Sequence, residues 1–172
     1  VSDWMRFRYR LIPYLRSCEN EARINGLPVM RSMALAFPQD KAAWAFEEQY
    51  MFGPALLVAP ITQPGGNVDI YLPKGDWVHL WDGEHYTGGQ VISLKNYPLE
   101  QIPVFGRAGS WLPLGPVVQH TGELDGQEPV NELWVFGDPN PQFGLLPQGM
   151  DLQQTNGKME WVTSSTIQIK QF

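Results

Sequence analysis

The stretch that most restricts how this chain can fold is Val29 to Phe37. It is apolar except for Arg31 and Ser32 and is fenced by Pro28 and Pro38. Unbroken apolarity, as opposed to alternation, describes a strand covered on both faces, the kind found in parallel sheets. Helical patterns flank it. Trp4, Phe7, Leu11, Leu15, Cys18 and Ala22 recur at intervals of three and four, one stripe of a helix from Asp3 to about Ile24. Pro13 removes a backbone donor inside it and predicts a kink or a division between Tyr9 and Ile12. Gly26 stops it. Asp40 is placed to cap a second helix, Lys41 to about Met51. One buried strand with two helices does not close a domain, because it lacks neighbours on both edges and layers on both faces. The expectation is therefore that these residues are the tail of a larger α/β structure and the chain a C-terminal portion of a bigger protein.

From Gly53 onward the pattern changes. Short strands are expected at Leu56–Ile61, Asn67–Leu72, Asp76–Trp81, Val91–Leu94, Pro103–Phe105 and Trp111–Leu114, with glycine and proline between them. The 17 Gly and 15 Pro, with no fixed repeat, supply the turns such an arrangement needs. Regular short strands joined in this way argue for an antiparallel sandwich or barrel. Thr121 to Glu128 reads as a polar linker. Glu132–Phe136, Gln142–Leu146, Lys158–Val162 and Thr166–Gln171 are further candidate strands of a second, smaller β unit.

Charge and side-chain chemistry narrow the function. Twelve Lys plus Arg against 18 Asp plus Glu give a formal charge of −6, and no basic run interrupts the acidity, which disfavours a nucleic-acid partner. The chain is too broken by polar residues to span a membrane. Its first residues show no basic region followed by an apolar stretch, so no signal peptide is visible; that fits a cytoplasmic protein and equally a chain whose natural beginning has been cut away. Cys18, the single cysteine, is expected to be a small buried hydrophobe and excludes an intrachain disulfide. His79 and His85 lie six apart across a turn, but two nitrogens do not make a zinc site, and neither metal nor cofactor is expected. Trp77, Trp81 and Trp111 are candidates for stacking on a sugar ring. Trp77 and Trp81 share a face at alternating spacing, so core packing competes with that role.

Several motifs, in order, resemble glycoside hydrolase family 31, the α-glucosidases and α-xylosidases. Phe7 to Leu15 (FRYRLIPYL) is similar to a helix of that family, Gly26 to Arg31 (GLPVMR) to its last barrel strand, and Gln49 to Ile61 (QYMFGPALLVAPI) to the segment leading into the next domain. Tyr71 to Gly75 (YLPKG), Ile102 to Phe105 (IPVF) and Arg107 to Ser110 (RAGS) look like its proximal C-terminal β domain. Beyond Gly115 the likeness is only to a general strand pattern.

The resemblance implies a mainly β chain: an antiparallel β-sandwich preceded by a helix–strand–helix remnant of a (β/α)8 barrel. Residues 1–52 would end the barrel, 53–118 form the proximal sandwich and 119–172 a short distal unit. Family members are retaining enzymes with an aspartate nucleophile and an aspartic acid/base roughly 5–5.5 Å apart. The nucleophile is followed by Met-Asn or a close variant after an aromatic residue. No aspartate here has that context, so no catalytic residue is assigned and the chain by itself is expected to be inactive. Active sites of such barrels lie at the C-terminal ends of strands, which makes Arg31 and Ser32 the substrate-adjacent candidates, with Arg31 expected to orient a barrel residue. Ala36 departs from the glutamate that many members place before Phe-Pro. The implied function is the non-catalytic end of an enzyme hydrolysing terminal α-linked sugars, its partner the remainder of that enzyme, through which it would meet carbohydrate. A carbohydrate-binding module and a protein-interaction domain are the rivals.

Overall fold

The computed structural model describes residues 2–124, 130–147, 150–155, 158–163 and 167–172. By contacts the chain divides into two units, Val29–Ala108 and a second made of Val1–Pro28 with Gly109–Phe172. The expected boundaries at 52 and 118 follow resemblance; the contacts group the residues differently.

The second unit begins with two helices, α1 (Ser2–Arg10) and α2 (Ile12–Asn25), divided at Leu11. Pro13 sits in the first turn of α2, where its missing N–H has no helical partner to lose. Gly26 closes α2 in the left-handed region, φ 73°, with its N–H on the carbonyl of Ala22. The buried face is Pro13, Tyr14, Ser17 and Cys18, rotated from the stripe read off the sequence, and Cys18 is fully buried as expected.

The unit Val29–Ala108 is built on a six-stranded sheet. Its strands are β1 (Met30–Ser32), β2 (Tyr50–Phe52), β3 (Leu56–Val58), β5 (Asp76–His79), β6 (His85–Thr87) and β8 (Val104–Arg107), in the order β1-β2-β3-β8-β5-β6, and every pairing is antiparallel. A two-stranded ribbon, β4 (Val68–Leu72) with β7 (Gln90–Leu94), completes it. Met33, Met51, Leu57, Ile70, Leu72, Trp77 and Phe105 form one buried cluster.

Two expectations fail here. The run Val29–Phe37 is not one continuous strand. Only Met30–Ser32 is extended, antiparallel to Tyr50–Phe52, with Arg31 buried and its neighbours exposed. Ser32 then caps α3 (Met33–Ala36), its Oγ accepting the N–H of Leu35 at 3.3 Å. The cap splits an apolar run that periodicity alone reads as continuous. Nor is there a helix over Lys41–Met51. The Asp40 carboxylate accepts the Tyr71 hydroxyl at 2.8 Å instead of capping, and only a 3-10 turn, Ala43–Ala45, forms. Gln49 ties this segment to β4 of the ribbon: its side chain accepts the N–H of Tyr71 at 2.9 Å and donates to the carbonyl of Tyr71 at 2.7 Å.

In the other unit, β9 (Trp111–Leu114) pairs antiparallel with β10 (Glu132–Val135), which pairs in parallel with β13 (Gln168–Gln171). Met150–Thr155 (β11) and Lys158–Thr163 (β12) make an antiparallel pair; β11 was not expected from its polar sequence. Gln142–Leu146, expected as a strand, is a turn followed by irregular chain, because Asn140 draws the N–H groups of Gln142 and Phe143 back on itself. Thr121–Leu124 of the expected linker is a 3-10 turn; residues 125–128 of that linker, and Thr166, fall outside the described residues. Arg10 joins α1 to the strands. Its carbonyl accepts the N–H of Gly115 at 2.8 Å, and its guanidinium donates to the Gly115 carbonyl and the Glu132 carboxylate.

Candidate functional site

Arg31 and Ser32, the residues expected to lie beside substrate, are neighbours at the end of β1. Arg31 is buried on β1, and Ser32 spends its hydroxyl on the cap of α3.

The three tryptophans separate by burial. Trp77 is 0 % exposed and donates its indole N–H to the carbonyl of Pro73 at 2.8 Å. Trp111 is 1 % exposed and donates to the carbonyl of Leu145 at 2.9 Å. Neither offers a ring face to a sugar, so both are core. Trp81 is half-buried, beyond the end of β5, and its indole N–H donates to the carbonyl of Ile102 at 2.7 Å.

His79 and His85 do not converge. Val78 pairs with His85 in the β5–β6 register, which sends His79 to the opposite face. His79 is buried, and its Nε2 lies 2.9 Å from the Tyr97 hydroxyl. Asp82 Oδ1 sits 2.7 Å from Nδ1. Burial raises the Asp82 pKa, but the Glu84 N–H and the His79 ring outweigh it and leave the carboxyl below its ordinary value. Burial, reinforced by the charge on Asp82, pushes the Tyr97 hydroxyl up to about 12. Tyr86 is raised to about 12 by burial and by its bond to Glu84. These phenols stay protonated near neutral pH. They can hold a corner of the sheet together but do not act as nucleophiles there.

Sequence reasoning missed one concavity, of about 190 Å³, lined by Phe46, Glu47, Glu48, Gln49, Pro60 and Asp69 among others. Its walls come from three separate segments, 45–49, 59–60 and 68–69, so no single motif announces it. Glu48 accepts the Thr62 hydroxyl at 2.7 Å and Asp69 the Ser93 hydroxyl at 2.5 Å. Among the described residues no group of three His, Cys, Asp or Glu is arranged to hold a metal ion. The space is smaller than the roughly 300–1,000 Å³ of small-molecule sites, and Glu48, Gln49 and Asp69 in its lining already bond to neighbours. Other aspartates are engaged as well: Asp3 with Arg6, Asp40 with Tyr71, and Asp82 with His79.

The isomaltosyltransferase of Sporosarcina globispora is 41% identical to this chain over 164 residues, 92% of this chain and 14% of the relative. The alpha-xylosidase of Saccharolobus solfataricus is 33% identical over 161 residues, 92% of this chain and 22% of the relative. Among solved structures, a family 31 dextranase from Flavobacterium johnsoniae aligns with a TM-score of 0.69 at 30% identity, covering 90% of this chain and 18% of that one. The chain thus spans between 14% and 22% of the lengths of these proteins. Residues 26–112 match the family model described as the glycosyl hydrolase family 31 C-terminal domain, a span that contains the whole sheet unit Val29–Ala108. By that match and these identities, the chain belongs to glycosyl hydrolase family 31 and carries its C-terminal domain.

Proposed function

We propose that this chain is the non-catalytic C-terminal part of an enzyme that hydrolyses terminal α-linked sugars with retained configuration, and that its own task is to close and brace the catalytic barrel. The observation that supports this most is the coincidence of the family match, residues 26–112, with a unit that has its own sheet and core. A buried apolar cluster behind antiparallel strands gives a rigid wall, which is what a brace requires. The relatives' names span an alpha-xylosidase, a dextranase and an isomaltosyltransferase. We therefore assign the choice of sugar, and of water or a second sugar as acceptor, to the remainder of the enzyme, through which this chain meets carbohydrate. The acidic balance of −6 argues against a nucleic-acid partner, and among the described residues no helix is long and apolar enough to cross a membrane.

The test is an assay of the purified 172-residue chain with p-nitrophenyl α-glucoside and α-xyloside. No turnover is expected from the chain alone, and hydrolysis is expected when the upstream region is joined to it. Robust hydrolysis by the chain alone, or none by the joined protein on any α-linked substrate, overturns the reading. A carbohydrate-binding role would now rest on Trp81, the one of the three tryptophans that is only half-buried. Saturable fluorescence quenching by maltose, lost in Trp81→Ala, would favour it over bracing alone.

A further inference from the structure

We draw no further inference here: the strongest candidate, the apolar face that α3 and the following 3-10 turn expose through Leu35 and Trp44, has nothing in the structure to show what covers it.

Discussion

Buried backbone groups outside regular pairing need partners, and at Tyr71 part of that need is met by a side chain. Gln49 is 4 % exposed and supplies both an acceptor and a donor. Gln49→Leu keeps most of the volume and orphans two groups, so it is expected to lower stability by about 2–6 kcal/mol, taking roughly 1–3 for each unmet group. Gln49→Glu keeps the acceptor but sets a carboxylate against the Tyr71 carbonyl. Its penalty relative to wild type should shrink at acid pH, where a protonated carboxyl can donate. Urea unfolding followed by tryptophan fluorescence reads both; a penalty independent of pH in Gln49→Glu would contradict the arrangement. Gly144 makes a different demand. A Cβ there would stand 2.3 Å from the Trp111 ring, so Gly144→Ala should cost about 1–3 kcal/mol through overpacking and perturb the near-ultraviolet dichroism of Trp111. Gly26→Ala is the comparison, because its site has open space and only the φ of 73° to strain. A shift in the Trp111 signal as large in Gly26→Ala would count against the steric account.

The tie between α1 and β10 is electrostatic as well as apolar: Phe7 lies 5.9 Å from Trp134, and Glu132 takes hydrogen bonds from Arg10 and Trp134. Burial raises the Glu132 pKa, and the bonds from Trp134 and Arg10, with the charges of Arg10 and Lys170, more than reverse it, so the folded value is lowered. A lowered folded pKa gives stability that is complete above the unfolded carboxylate value, about 4.3, and is lost as pH falls through the folded value. Glu132→Gln should therefore flatten the acid limb of the pH–stability curve of this unit and leave the region above pH 6 nearly level. An unchanged acid limb would remove Glu132 from the account. The helices were legible because Pro13 and Gly26 act locally, through a missing donor and a left-handed φ. Strands β3, β4, β5, β7 and β8 were legible because glycine and proline punctuate them, whereas β6 was not expected and β2 fell at the end of the expected helix. What failed was long-range in origin. An apolar run states neither where a serine will cap a helix nor which strand it will pair with, so Val29–Phe37 reads as one strand although only Met30–Ser32 is extended. The helix expected after Asp40 was lost to the Tyr71 hydroxyl and to Gln49, both contacts that span more than twenty residues. At the site, alternation within β5 hinted that Trp77 faces the core, but Trp111 is roofed by the segment around Gly144 and Leu145, which carries no such signal.

At the scale of the molecule, the two units differ in how the chain closes them. All residues of the main cluster behind the sheet, from Met33 to Phe105, come from one continuous stretch, and all six sheet strands lie between Met30 and Arg107. The other unit must bring Val1–Pro28 against Gly109–Phe172 across an 80-residue insertion, a loop whose closure costs entropy that grows slowly with its length. The sheet unit should then fold without its neighbour, and the neighbour should be the first to open. We expect a peptide of residues 26–112 to unfold cooperatively in urea, with Trp77 fluorescence shifting from a buried to a solvated value in a single step. In the full chain, deletion of residues 1–25 removes α1 and α2, and with them every Arg10 and Tyr14 contact, from the second unit. That deletion should expose Trp111 and Trp134 at low denaturant while the Trp77 transition keeps its midpoint. Single-tryptophan variants make the separate transitions readable, since each unit holds its own reporters. If the 26–112 peptide binds hydrophobic dyes and melts without a transition, or if deleting the helices moves the Trp77 midpoint as far as that of Trp111, the sheet has borrowed its stability from the rest of the chain. The match between family boundary and folding boundary would then be a coincidence of sequence, not a property of the packing.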